Sequence, residues 1–568
     1  MTVRFHTREF DPGAAHRLQL LGVLPPLARA LAARGILNEA QLNLSVREIL
    51  PPGSMSHSAQ AASLLADAIE QRRRLLVIAD YDCDGATACA VAIRGLRSMG
   101  AVVDYLVPNR FEYGYGLTPE LVELAAQRRP DLLVTVDNGI ASVEGVERAN
   151  ALGIDVLITD HHLPVSRLPN ARAIVNPNQP DCSFASKHLA GVGVMFYVLL
   201  QLRAELRRRG RFDENTQPRL DTLLDLVAAG TVADLVRLDR NNRILVSGGL
   251  ERIRRGSMQA GVAALFRIAG RDYRRARASD LGFALGPRIN AAGRLADMTQ
   301  GIECLLTDDP ERALELAQRL DSLNRERRQI EENMQATAQS DLKTADLQGS
   351  SLAQRRTIAI YRDDWHPGVV GLIAARIKDR YHRPTIAFAR ADANWLRGSG
   401  RSIEGVHLRD TLDRVSKLAP GLVARFGGHA MAAGLTIAHG ALEEFTRVFE
   451  QAAYETVDPA LYARTLAVDG TLEASEITHS LVEAINDIVW GQGFAEPLFD
   501  NEFDVLEQRI VKGRHLQLTL ALHGRRWPAI WFGRVDTVPD RARLAYRPVI
   551  DEFRGQRRLS LRVEQVSS

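Results

Sequence analysis

The chain has 568 residues, 46% of them hydrophobic, with 72 Lys and Arg against 69 Asp and Glu for a formal net charge of +3. That length exceeds what one core supports and predicts three or four domains, and the apolar content excludes wholesale disorder. The near-balanced charge confines any nucleic-acid footprint to local basic patches.

Cysteine is sparse: Cys83, Cys89, Cys182 and Cys304 form no CxxC pair. This argues against a disulfide framework or a thiolate zinc site, and for a reducing compartment. The opening "MTVRFHTREFDPGAAHRLQL" has no apolar signal region, and no run approaches 18 apolar residues. A soluble cytoplasmic protein with no membrane span is expected.

In chain order, residues 1–55 read as an N-terminal helical segment, in which "PPLARALAARGI" has helical spacing and Gly35 is a plausible stop. Residues 56–305 alternate helical patterns with the strand-like runs "LLVIAD", "VVDYLVP", "DLLVTVD" and "IDVLITD". Such alternation predicts a doubly wound parallel sheet. Residues 306–348 hold no Gly or Pro between Pro310 and Gly349 and read as one long connecting helix, capped by Asp308 or Asp309. It is either a solvated connector or a spacer holding two domains across a cleft. Residues 349–458 resume an α/β pattern with "RTIAIYR" and "PTIAFAR". Residues 459–568 change to short alternating strands such as "HLQLTLAL" and "WPAIWFG", which predicts a small β-barrel.

Three strands of the first sheet end in an acid: Asp80, Asp137 and Asp160. Ligands of such sheets sit beyond the carboxyl ends of the strands, so one edge should collect these acids. Asp80, Asp82 and Asp84 alternate in "DYDCDG", and His161 and His162 follow Asp160. Clustered carboxylates need a cation to stay ionised; oxygen ligands favour Mg²⁺ or Mn²⁺, and the imidazoles favour Mn²⁺ over Ca²⁺. Alternation along an extended segment would turn Cys83 away from the acids, as a packing residue.

The motifs "DYDCDG", "VDNGI" and "DHH" resemble those of the DHH phosphoesterase superfamily. Its Gly-x-x-x-Asp pattern falls on Gly230 and Asp234 in "LVAAGTVADLVRL", which favours Asp234 over the nearby Asp225. The resemblance implies a two-metal phosphoesterase with Asp80, Asp82, Asp84, Asp137, Asp160, His161, His162 and Asp234 as catalytic residues. The metal ligands it implies are Asp80, Asp82, Asp84, Asp137, His161 and Asp234, with Asp160 orienting a histidine. Two ions about 3.5–4 Å apart clamp the attacking and leaving oxygens of an in-line displacement.

The segment 361–434 supplies an expected anion-binding wall through Arg376, Arg401 in "GSGRS" and His429 in "GGHAMAAG". Gly-rich turns would let backbone amides approach phosphate there. These stretches resemble the DHH-associated domain, which adds Ser399, Gly400 and Gly428. Long strings such as "VPNRFEYGYGL", "GPRINAAGRL", "WHPGVVG", "GSGRSI" and "RFGGHAMAAG" narrow the resemblance to the RecJ family of exonucleases. Ala79 and Cys83 depart from that family's usual Gly and Ala.

The resemblance implies an α/β multi-domain fold: a DHH parallel-sheet domain, a long connecting helix, a second α/β DHH-associated domain and a C-terminal OB-like β-barrel. It implies 5′→3′ hydrolysis of single-stranded DNA to mononucleotides with two Mn²⁺ or Mg²⁺ ions, by a monomer. Single-strand-binding protein and a RecQ-type helicase are the implied protein partners. The alternative is a phosphodiesterase of short oligonucleotides or other small phosphate substrates. Arg110 is expected to hold a terminal phosphate, and Tyr113 or Tyr115 to stack on a base. Arg288, Asn290 and Arg294 are expected to line the strand path. Lys512, Arg514, Arg525, Arg526, Trp527, Trp531 and Phe532 are the barrel's candidates for strand contact, with core filling as the other reading of the aromatics.

Overall fold

The structure is a computed structural model and describes residues 3–109, 112–347, 354–553 and 556–567. Its N-terminal segment is not purely helical. Arg4–Thr7 (β1) pairs in parallel with Thr465–Val468, so the chain's first strand is completed by its last third. Arg34 reinforces that closure: its guanidinium donates to both carboxylate oxygens of Asp469, at 2.6 and 2.9 Å.

The first sheet holds β2 (Arg74–Ala79), β3 (Val102–Leu106), β4 (Leu132–Val136), β5 (Asp155–Thr159) and β6 (Ala173–Val175). All are parallel, in the order β3-β2-β4-β5-β6. Both faces are covered. Leu75, Val77 and Ala79 of β2 enter one apolar cluster, and Leu76 and Ile78 enter another. The near-continuous apolar runs in the sequence reflect this two-sided burial.

The connecting helix spans Pro310–Leu347, about 57 Å at 1.5 Å per residue. Asp309 accepts from the Glu311 amide at 2.9 Å and Pro310 opens the first turn. The helix is a spacer, not a solvated connector. Ala313, Leu316, Ala317 and Leu320 pack into the first domain's core, and Met334, Ala338 and Leu342 into the second's.

The second domain is a mixed sheet of β7 (Ile358–Tyr361), β8 (Thr385–Arg390), β9 (Trp395–Arg401), β10 (Val423–Gly428) and β11 (Ala432–Ala438). Its order is β10-β11-β9-β8-β7, and only β7 and β8 are parallel. This corrects the reading of the "GSGRS" glycines as a phosphate-approaching turn. "GSGR" lies inside β9, where a Cβ on Gly398 would stand 2.6 Å from the Phe388 ring and one on Gly400 2.7 Å from Leu408. Those glycines make room for the core beneath the strand. "GGHA" belongs to the β10–β11 hairpin.

After β12 (Thr465–Val468), the strands β13 (Phe499–Val511), β14 (His515–Leu522), β15 (Arg525–Phe532), β16 (Arg541–Phe553) and β17 (Gln556–Val566) form a closed barrel in the order β13-β14-β15-β17-β16. Trp527 and Trp531 are buried in its core, whereas Phe532 is 56% exposed. The two tryptophans therefore leave the set of strand-contact candidates. Among the described residues, no helix is long and apolar enough to cross a membrane.

Candidate metal centre

β2, β4 and β5 are adjacent, and Asp80, Asp137 and Asp160 follow directly on their carboxyl ends. The alternation expected for "DYDCDG" breaks at Asp82. That residue caps the helix Cys83–Ser98, its carboxylate accepting from the Gly85 amide at 3.0 Å. Cys83 is thus the first helical residue, fully buried, and Asp84 lies in the first turn. Asp84 accepts from the amides of Gly191 (2.6 Å) and Val192 (3.0 Å), which open the helix Gly191–Arg208. A helix N-terminus favours the carboxylate there.

Asp137 adopts φ +63°, a left-handed conformation uncommon for a residue with a side chain. A Cβ on Gly191 would stand 2.6 Å from Asp137 Oδ1, so only glycine permits that approach. Asp234 closes the helix Leu224–Ala233. The glycine one turn earlier, Gly230, lies flush against Thr87, Val192 and Asp84. His161 Nε2 is then 3.1 Å from Asp137 Oδ1, 3.6 Å from Asp234 Oδ2 and 3.9 Å from Asp84 Oδ2.

Asp160 faces the histidines' backbone instead of the cluster's centre. It accepts from the amides of Ile140, His161 and His162, and from His162 Nδ1 at 2.7 Å. Asn178 donates to the His161 carbonyl (2.6 Å) and Asn176 to that of His162 (2.9 Å). Sequence reasoning missed both amides; the only signal was the density of amide side chains in "NPNQPD" just after β6. Asp225 lies apart, accepting from the Gln259 amide.

Burial and the neighbouring Asp82 push the Asp84 carboxyl up to about 7. Burial and Asp84 push Asp137 and Asp234 well above the usual carboxylate range. Burial holds His161 down at about 3. His162 moves the other way: burial opposes its charge, but the Asp160 bond lifts it to about 9. Carboxylates driven toward neutrality at close range are what a bound cation relieves.

Three groups of potential ligand atoms each fall within 4.8 Å: Asp80, Asp82 and Asp137; Asp84, His161 and Asp234; and Asp137, His161 and His162. Asp137 Oδ1 and His161 Nε2 are buried and in contact at 3.1 Å, yet neither makes a hydrogen bond among the described residues. Buried polar atoms without a hydrogen bond are costly, and a cation lying against both would satisfy them. An oxygen-rich set with one or two imidazoles suits Mn²⁺ or Mg²⁺.

The expected substrate residues scatter more widely. Arg110 lies outside the described residues. The Tyr115 hydroxyl is 3.3 Å from the His162 ring nitrogens and 3.4 Å from the Asp137 carbonyl. Tyr113 is half-buried against the cluster on the sheet's second face. His429 crosses from the second domain, its ring stacked at 6.3 Å from that of His162. Gly428 precedes it at φ +140°, where a Cβ would meet the Ala432 carbonyl at 2.4 Å. Arg401 donates to Ser399 Oγ (3.2 Å) and the Gly400 carbonyl (2.8 Å), on the strand beside that hairpin.

The remaining candidates hold parts of the protein together. Asn290 accepts from the Cys83 amide at 2.7 Å, fixing the start of the acidic helix. Arg288 bonds Asp321 on the connecting helix, and Arg376 bonds Glu331 there. Arg294 donates to the Gly368 carbonyl of the second domain.

Comparison with known proteins agrees with this layout. The DHH family, N-terminal domain matches residues 74–231, the DHHA1 domain residues 354–455 and the RecJ OB domain residues 468–565. The single-stranded-DNA-specific exonuclease RecJ of Salmonella typhimurium is 48% identical over 98% of both chains, and that of Escherichia coli 47% identical over 99% of both. RecJ of Thermus thermophilus in complex with Mn²⁺ superposes with a TM-score of 0.83 at 28% identity, covering 100% of this chain and 80% of that one. Its complex with Mg²⁺ gives 0.77. At 47–48% identity over 98–99% of both chains, the chain belongs to the RecJ family.

Proposed function

We propose that this chain is a metal-dependent exonuclease that degrades single-stranded DNA from the 5′ end to mononucleotides, in DNA repair and recombination. The observation that carries the reading is the pair of orphaned atoms, Asp137 Oδ1 and His161 Nε2, inside overlapping groups of acids. Asp80, Asp82 and Asp137 would hold one divalent ion, and Asp84, His161 and Asp234 a second. When bound, such a pair polarises the phosphodiester and acidifies a water. The relatives are named single-stranded-DNA-specific exonucleases, and solved structures of one relative carry Mn²⁺ and Mg²⁺.

The chain's own residues bind and orient. Asp160 accepts from His162 Nδ1 at 2.7 Å and so holds that ring facing His429 across the gap between the domains, where a phosphate can meet it. His429 stands opposite, with Arg401 and Ser399 on the neighbouring strand, as phosphate contacts from the second domain. Arg288, Asn290 and Arg376 are reassigned to positioning, through Asp321, Cys83 and Glu331. The protein acts as a cytoplasmic monomer, with single-strand-binding protein and a RecQ-type helicase as partners.

The test is product analysis on end-labelled 50-mer DNA with Mn²⁺. Mononucleotides released from the 5′ end are expected; release from the 3′ end would overturn the direction. Turnover of pApA or pyrophosphate with the 50-mer untouched would instead support a phosphodiesterase of small substrates.

A further inference from the structure

Phe283 is 78% exposed, an unusual setting for a phenylalanine in an otherwise ordered helical region. It sits in Leu281–Leu285, a π-helical turn that leads into the helix Gly286–Leu295. Single π turns are rare and occur disproportionately at functional sites.

Two contacts fix where this turn lies. A Cβ on Gly282 would stand 3.2 Å from Val232 Cγ1, and one on Gly286 3.1 Å from Ala233 Cβ. The turn therefore packs on the residues just before Asp234. Further along the same helix, Asn290 holds the Cys83 amide and Arg294 reaches the Gly368 carbonyl in the second domain. The helix thus runs beside the metal centre toward the facing domain.

Leu235 repeats the anomaly. It follows Asp234 directly, takes φ +62° and is 68% exposed. Asp234 Oδ2 is itself 3.6 Å from His161 Nε2. Two large apolar side chains are thus left in water, one on the turn packed against residues 232–233 and one directly after Asp234. Singly exposed apolar residues are ordinary; a paired occurrence beside a cluster of potential ligands is a binding feature.

We propose that Phe283, on the turn that packs against the residues leading to Asp234, is a stacking platform for a nucleobase of the entering strand. This rests on the reading of the chain as a single-strand exonuclease and deepens it. His162, His429 and Arg401 are assigned to phosphate oxygens, and Phe283 adds an exposed apolar ring for a base. An unpaired base has that face free; a base in a duplex has it covered by its neighbours. The platform thus selects for single strands by affinity as well as by fit.

The experiment is an abasic scan. Single abasic positions are placed in turn along a 5′-phosphorylated dT12 made with phosphorothioate linkages, and binding is read by fluorescence anisotropy with Mn²⁺. In the wild type, one position should weaken binding by about fivefold or more, the size of one base–aromatic stack. Phe283→Ala should weaken binding to the intact oligomer by a similar factor and abolish the response at that position alone. Phe283→Trp should restore both. A Phe283→Ala profile that matches the wild-type scan position by position overturns the platform. Wild-type protein that neither binds nor degrades single-stranded DNA overturns the exonuclease reading itself.

Discussion

Gly230→Ala tests the metal centre without replacing any proposed ligand. The added methyl would stand 2.2 Å from Thr87 Oγ1, 2.8 Å from Val192 Cγ1 and 2.9 Å from Asp84 Oδ1. Overpacking a core costs about 1–3 kcal/mol. Alanine returns roughly 1 kcal/mol of helix propensity over glycine. With all three contacts below 3.0 Å the cost sits high in its range, leaving a net loss of about 1–2 kcal/mol. The larger effect is local. Asp84 is pinned by the Gly191 and Val192 amides, so the methyl pushes its carboxylate off both or pushes the helix carrying Asp234 away. Either shift should weaken Mn²⁺ binding by about tenfold or more, the usual scale for disturbing a ligand's supports. Urea unfolding without metal reads the first term, and calorimetric Mn²⁺ titration with exonuclease turnover reads the second. Gly261→Ala is the comparison: its methyl would meet the Cys304 carbonyl at 1.9 Å, with no proposed ligand among its nearest atoms. Wild-type Mn²⁺ affinity in Gly230→Ala, alongside a stability loss like that of Gly261→Ala, would refute the argument.

Removing the amide that fixes the His161 carbonyl, by Asn178→Ala, should cost about 10–100-fold in Mn²⁺ affinity, the range for outer supports of a metal ligand. Equal titration curves for the two proteins would remove Asn178 from the site. In the barrel, Trp531→Ala should destabilise by about 3–5 kcal/mol, as deletions of a buried aromatic do. Phe532→Ala, at an exposed position, should leave the unfolding midpoint in place while lowering affinity for long single strands, measured by anisotropy.

The acidic edge was legible because three of its contributions obey one rule: each follows a short apolar run, and parallel strands deliver such residues to a common edge. Asp234 was legible only by resemblance. Its helix is apolar nearly all round, so periodicity gave no face to choose and Asp225 remained a competitor until the Gln259 amide claimed it. Cys83 is the packing residue the sequence suggested, but the strand alternation behind that reading stops at Ala79, because the Asp82 cap has already begun a helix. The glycines of β9 misled for a related reason. A small residue looks alike in sequence whether it spares room for a ligand or for Phe388 and Leu408, and only the packing distinguishes them. Asn290, Arg288 and Arg376 were read as substrate contacts because their partners in the structure lie 33 to 207 positions away, beyond any local pattern.

The pairing of Arg34 with Asp469 sets a schedule for synthesis. The two residues are 435 positions apart, and both side chains are almost wholly buried, at 5% and 1% exposure. At about 5–20 residues per second, roughly 20 to 90 s pass between the emergence of one and the other. Through that interval Arg34 has no carboxylate to meet, and burying an unpaired charge is strongly unfavourable. The first strand has no neighbour either. On the ribosome, the amino-terminal segment waits unfinished while the parallel-sheet domain assembles, and the arrival of residues 465–469 is what locks the start of the chain onto its end.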